Sequence, residues 1–209
     1  MLQVRLLSET LERKVMEDPP WKQLEETRER LDNRNREANM MRSTRRYDGM
    51  KFLIFSRKNA KDQNLINDMI DEPHIWISIY TPGDKEATLA AESGNSHFIA
   101  SHRVAFHDLT FESASEADEP ITDKQAQDIV DFVHEYKDKI SLICVHCDAG
   151  VSRSSGTALA LSELINGHDS GIRGCRAYSP NPDVKATIVR MGEKLATDKT
   201  PVWYREYWK

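Results

Sequence analysis

Cysteine is scarce in this chain, with only Cys144, Cys147 and Cys175 among 209 residues. An odd and small number argues against a disulfide framework. The expectation is a reducing cytoplasm, where a free thiol survives. Long apolar runs are missing too. Nothing approaches the roughly 18 apolar residues of a membrane span. The patch from Met1 to Leu7 is broken by Gln3 and Arg5 and is too short for a signal peptide. A surplus of positive charge is also absent. With 29 Lys and Arg against 34 Asp and Glu, the net charge is −5, which makes no case for a nucleic-acid or membrane partner. There is no internal repeat and no low-complexity tract. What is present suffices for one substantial α/β core with an appendage, since 39% of the residues are hydrophobic.

The charge is unevenly placed. Residues 1–49 carry 11 basic and 10 acidic side chains, a net of +1, which leaves 18 and 24, a net of −6, for residues 50–209. Segments 8–17 and 21–41 are rich in Glu, Arg, Leu and Met, which favour helix, and Pro19-Pro20 separates them. Their apolar residues are sparse. We therefore expect a charged helical or disordered extension over 1–49 with no catalytic role, and a catalytic domain over 50–209.

The texture changes at Met50. Lys51 to Phe55 reads as a strand, and so does His74 to Tyr80, which Thr81-Pro82-Gly83-Asp84 ends. Phe98-Ile99 and Arg103 to Phe106 read as two further short strands. Thr122 opens a helix, with Gln125 completing a capping box, and Ala126, Ile129, Val130, Val133 and Tyr136 follow at helical spacing. Ile140 to Val145 is continuously apolar, the pattern of a strand buried on both faces. Helices are expected over about 152–165, stopped by Asn166-Gly167, and about 183–196 after Pro180-Asn181-Pro182. Strands alternating with helices imply a mostly parallel sheet with helices on its faces.

The buried strand runs straight into His146-Cys147-Asp148-Ala149-Gly150-Val151-Ser152-Arg153-Ser154. A loop between a strand and a helix N-terminus can turn several backbone N–H groups onto one anion. Gly150 allows a backbone angle closed to other residues. Arg153 offers a planar fork for two phosphate oxygens. The same positive surroundings favour the thiolate of Cys147, which is the nucleophilic form.

His-Cys, five residues, then Arg-Ser resembles the signature of the protein tyrosine phosphatase superfamily, and Cys-Asp-Ala-Gly-Val-Ser-Arg-Ser is similar to its dual-specificity branch. The resemblance is strong over 144–156, weaker over about 50–195, and absent over 1–49. It implies a three-layer α/β domain with a central mostly parallel sheet, cysteine-phosphatase-like, to which the N-terminal extension is added. It implies that Cys147 forms a phosphocysteine intermediate, that residues 148–153 bind the phosphoryl group, that Ser154 eases departure of the sulfur and that His146 fixes the loop. No metal or other cofactor is implied.

Such chemistry needs a general acid to protonate the leaving oxygen. Asp108 ends the strand that includes Phe106, where the family places this residue, and lies 39 residues before Cys147. The acidic stretch from Thr110 to Glu119 reads as an insertion. Asp118, 29 residues before Cys147 in Asp118-Glu119-Pro120, is the rival, and Asp108 is preferred for its place at a strand end. His97, His102 and His107 match no zinc pattern. Cys144 should face away from Cys147 and pack in the core. Cys175 is unassigned, and the aromatic tail Trp203 to Trp208 is expected to pack on the domain.

The expected substrate is a phosphorylated protein, at tyrosine or at serine and threonine. A phosphoinositide or an RNA 5′-phosphate is the alternative, weakened because Asp148, Val151 and Ser152 leave no lysine in the loop. A phosphate-binding pseudoenzyme is the third possibility, against which the retention of Cys147 and Arg153 speaks.

Overall fold

The structure, a computed structural model, describes residues 49–110 and 118–198, the last six of these as backbone alone. Residues 1–48, with the expected helices 8–17 and 21–41, lie outside the described residues. So do 111–117 and the aromatic tail.

Among the described residues four strands form one sheet: β1 (Lys51–Ser56), β2 (His74–Tyr80), β3 (Phe98–Ala105) and β4 (Leu142–Cys147). Their order is β1-β4-β2-β3, and every neighbouring pair is parallel. Strand β4 lies inside the sheet, with Cys144 opposite Leu53 of β1 and Trp76 of β2. All six of its residues are buried, which is why the segment reads as an unbroken apolar run.

Helices cover both faces. On one side α4 (Asp123–Tyr136), α5 (Arg153–Asn166) and α6 (Pro182–Asp198) lay Ala126, Ile129, Val133, Leu161 and Ile188 against Ile75, Ile77, Ile143 and Val145. On the other, α1 (Arg57–Ala60), α2 (Gln63–Met69) and α3 (Ala90–Gly94) bring Ala60, Ile66, Ala90 and Ala91 onto Leu53, Phe55, Trp76 and Cys144. The three-layer arrangement is the one expected. Parallel strands need such crossovers to return the chain to the same edge.

Local signals explain the long helices. Thr122 and Gln125 form the capping box of α4, and Gly167 ends α5 at φ +69°, a left-handed geometry that suits glycine. The short helices α1–α3 were not read from the sequence. The first two rest on single side-chain caps, Ser56 accepting from Asn59 N at 3.2 Å and Asp62 from Leu65 N at 3.1 Å. The two short strands expected at Phe98-Ile99 and Arg103 to Phe106 are one strand, β3. Among the described residues only β2 pairs with it, and a strand at a sheet edge keeps polar residues such as Ser101 and His102 without loss. Strand β4 begins two residues later than expected, because Lys137–Lys139 is a 3-10 turn, and it runs through to Cys147. The start of β1 is fixed by Asn166, which accepts from Met50 N at 2.9 Å and donates to Met50 O at 2.8 Å. No helix among the described residues is long and apolar enough to cross a membrane.

Candidate active site

The loop between Cys147 and Arg153 is shaped by what holds its carbonyls. Asp148 O accepts from Arg57 N at 3.1 Å, Val151 O from Ser179 N at 3.0 Å, and Ser152 O from Asn181 N at 3.2 Å. With these oxygens held by Arg57, Ser179 and Asn181, the Gly150 amide faces the sulfur. Gly150 N donates to Cys147 Sγ at 3.3 Å, and Ser154 Oγ sits 3.2 Å from the same sulfur. Gly150 has φ +73°. A Cβ there would lie 2.6 Å from Ser56 N and 2.7 Å from Phe55 C, so the loop closes against β1 only with glycine. An inward ring of amides at the start of a helix is an anion cradle. Around it Ala149 is exposed, and Val151 is an apolar side chain at the mouth, 37% exposed.

Arg153 is only 4% exposed, and its contacts can be assigned donor by donor. Nη1 donates to Phe106 O at 2.8 Å and to Thr81 Oγ1 at 3.2 Å, and Nη2 donates to Asp148 Oδ2 at 2.5 Å. Thr81 Oγ1 in turn donates to Asp148 Oδ2 at 3.0 Å. Two acceptors that close together must both face the end of the guanidinium, between Nη1 and Nη2. A guanidinium has five N–H donors. The two left over are Nε–H and the outer N–H of Nη2, which lie side by side on one edge. Nε is buried and has no hydrogen-bond partner among the described residues, the state of a group built to meet a ligand. Asp148 Oδ1 also accepts from Arg57 Nη1 at 3.2 Å. Burial pushes the Asp148 carboxyl up, but Arg153, Thr81 and Arg57 outweigh it and hold the carboxyl below its usual value.

Asp108 stands across from the open edge. Its Oδ2 is 4.0 Å from Arg153 Nε, and its Oδ1 accepts from Ser152 Oγ at 2.6 Å and from Asn181 Nδ2 at 3.1 Å. Asn181 Nδ2 also donates to Leu109 O at 3.0 Å, while its Oδ1 caps α6 by accepting from Asp183 N and Val184 N. Ser152, the residue before α5, makes no side-chain cap bond, because its hydroxyl serves Asp108 instead. Two backbone-level bonds join the residues on either side of 111–117. His107 N donates to Glu119 O at 2.7 Å, and Glu119 N donates to His107 Nδ1 at 3.0 Å. This tie fixes Glu119, the neighbour of Asp118, to the residue two positions beyond β3.

His146 lies beneath the loop, fully buried, with Nε2 2.7 Å from Ser78 Oγ. Burial is the largest cause that lowers its pKa, to about 4, so the ring is neutral at physiological pH. Cys144 packs on the α1–α3 face, as expected from its spacing, and burial, then Glu72, pushes its thiol well up. Cys175 is buried beside Ile172. The three histidines are dispersed: His97 is exposed, His102 stacks on Phe132 at 5.3 Å, and His107 is bound to Glu119.

Sequence reading missed Thr81, Arg57 and the role of Asn181. Their contacts span 67 to 91 residues, so no local pattern marks them. Asn181-Pro182 is recognisable as a helix start, but its reach to Asp108 is not.

The parallel sheet, covered by helices on both faces, carries the His-Cys-x5-Arg-Ser loop at the junction of β4 and α5. No protein-family model matches the chain, and no curated protein sequence does. Among solved structures it is similar to a mouse putative dual specificity phosphatase complexed with zinc tungstate, at 16% identity over 69% of this chain and 84% of that one, TM-score 0.47. It is similar to human DUSP28 at 13% identity over 71% and 95%, TM-score 0.48. It is also similar to PTPMT1 in complex with PI(5)P at 14% identity over 72% and 95%, TM-score 0.43.

Proposed function

We propose that the chain is a cysteine-dependent phosphatase that hydrolyses phosphate monoesters on proteins. The observation that carries this reading is the buried Nε of Arg153, which has no hydrogen-bond partner among the described residues, beside a loop whose Gly150 amide points at Cys147 Sγ. A tetrahedral dianion fits both. The Cys147 thiolate attacks phosphorus in line while the P–O bond to the leaving group breaks. Asp108, through Oδ2, gives its proton to that oxygen. Water then attacks phosphocysteine, Asp108 takes the proton back, and Ser154 Oγ donates to the departing sulfur, releasing phosphate and restoring the thiolate. Arg153 and the loop amides hold the equatorial oxygens throughout. Asp108 is the acid in preference to Asp118 because its oxygen already faces the open edge of Arg153. The chemistry needs a free thiol, which suits a reducing compartment such as the cytoplasm.

A protein monoester is favoured over a multiply phosphorylated lipid headgroup or an RNA 5′-phosphate. Among the described residues, the cation bonded to the loop besides Arg153 is Arg57, and it is engaged by Asp148, Asp84 and the Lys85 carbonyl. The test is turnover of a panel by the purified chain: phosphotyrosine, phosphoserine and phosphothreonine peptides, a phosphoinositide, and a 5′-phosphorylated RNA. Release of phosphate from the peptides is expected. Turnover confined to the lipid or the RNA would overturn the substrate class. Tungstate binding without turnover of any member would make the chain a phosphate-binding pseudoenzyme.

A further inference from the structure

We infer that Asp148, assisted by Thr81, is the positioning residue that keeps the phosphate-binding edge of Arg153 open. This rests on the phosphatase reading but concerns how the arginine is aimed, not what is hydrolysed. A carboxylate beside an anion site would ordinarily be a liability, since like charges repel. Here its placement makes it useful. Asp148 Oδ2 and Thr81 Oγ1, bonded to each other at 3.0 Å, cover the end of the guanidinium, at 2.5 Å from Nη2 and 3.2 Å from Nη1. Phe106 O takes the remaining Nη1 donor. Three acceptors thus fix the plane and the rotation of the group, and the edge they leave is the one with two parallel donors. Without them a buried guanidinium with unpaired donors would turn toward whatever oxygens lie near, Asp108 Oδ2 at 4.0 Å first among them. That would cover the fork and engage the acid at once.

Asp148 is itself held. Its Oδ1 is gripped by Arg57, whose guanidinium also reaches Asp84 and the Lys85 carbonyl. The carboxylate therefore has one oxygen for each arginine and no freedom to swing into the cradle. Its backbone is fixed as well, because Asp148 O accepts from Arg57 N. The arrangement passes from the β1–α1 junction through Asp148 to Arg153, so the start of α1 participates in aiming the fork.

The two effects of Asp148 have opposite signs, and this makes the inference testable. If its charge matters only as repulsion, any neutral replacement tightens anion binding. If it positions Arg153, Asp148→Ala weakens binding although a negative charge has gone, whereas Asp148→Asn keeps an acceptor oxygen and restores it. The probe is inorganic tungstate, titrated calorimetrically into the full chain carrying Cys147→Ser. Asp148→Ala should weaken binding roughly tenfold, the scale of one charge-assisted hydrogen bond, and Asp148→Asn should stay within about threefold of the parent. Equal or tighter binding by Asp148→Ala overturns the inference. With Cys147 intact, Asp148→Ala should lower kcat/KM by the same factor for phenyl and nitrophenyl phosphate, because it acts through the arginine and not on the leaving group. A loss confined to the phenyl ester would overturn it too. Should thermal melting show that Asp148→Ala does not fold, Thr81→Val carries the test, with binding about threefold weaker expected and unchanged binding overturning the role. Absence of turnover by the chain with Cys147 intact, with these tungstate effects present, would sink the phosphatase reading alone. Absence of any tungstate binding to the Cys147→Ser parent would sink both.

Discussion

The two faces of β4 make an instructive contrast. On the α4–α6 face the strand presents Ile143, Val145 and Cys147, and the surrounding residues are almost entirely aliphatic. On the α1–α3 face it presents Leu142 and Cys144 beside Trp76 and Phe55, whose rings stack at 5.0 Å, and Trp76 lies 6.2 Å from the ring of His146. Two thiols three residues apart thus have opposite surroundings. Cys147 meets an amide, a hydroxyl and a helix N-terminus. Cys144 meets burial and, second, the charge of Glu72, and both push its thiol well up. Period-two alternation along the strand lets one face hold the Cys147 thiol while the other holds the buried polar groups that brace the loop from below.

The sharpest break in this comparison is at sulfur. Cys147→Ser should cost about 10⁴-fold or more in turnover of an aryl phosphate, the scale on which nucleophile removal acts, while tungstate still binds. Near-normal turnover would refute the assignment. Next comes the acid. Asp108→Asn should slow phenyl or alkyl phosphate hydrolysis about 10²–10⁴-fold and a nitrophenyl ester much less, since a good leaving group needs no proton. Asp118→Asn should do little, and the reverse pattern would move the role to Asp118. Arg153→Lys keeps the charge but cannot reproduce a planar fork. It should lose at least about tenfold in kcat/KM, and unchanged kinetics would remove the bidentate role.

The other face should answer in stability. His146 is held neutral, with its pKa lowered to about 4, so unfolding takes up a proton between that value and the unfolded value near 6.5. Stability therefore rises with pH across this window and falls as pH drops from about 6.5 to 4, by on the order of 3 kcal/mol at most. His74 and His102, both lowered chiefly by burial, act in the same direction. Urea unfolding at pH 7 and pH 5 checks this, and equal stabilities would contradict it. The smallest effect belongs to the partner thiol. Cys144→Ser should leave kcat unchanged and cost about 1–3 kcal/mol in stability for a buried hydroxyl. A matching loss of turnover would show that the faces are not independent.

Much of this was legible because the decisive signals are short in sequence. The run from Ile140 to Val145, the capping box at Thr122 and the loop from Cys147 to Arg153 each lie within about a dozen residues, and each element stands close to where it was expected. The rest was hidden for physical reasons. Helices of four to seven residues are too short to show a 3.6-residue period, and α1 begins directly at the end of β1. Strand β3 looked like two because polar residues interrupt it, which an edge position permits. The partners of Arg153 come from β2's end and β3's end, 72 and 47 residues away, and only folding brings them together. Asp148 was read as part of the cradle. That its carboxylate grips the arginine depends on a rotamer, which no pattern of letters encodes.

Asn181 works in two directions at once. Its carbonyl oxygen accepts the first amides of α6, and its NH₂ group holds Asp108 and the Leu109 carbonyl. An aspartate in its place has nearly the same shape and caps a helix equally well, yet it has no hydrogen to donate and sets a second negative charge beside the first. A one-atom change at position 181 would keep the architectural half of the residue and invert the chemical half. Position 181 thus separates two roles: the start of α6 tolerates a substitution that the surroundings of Asp108 do not.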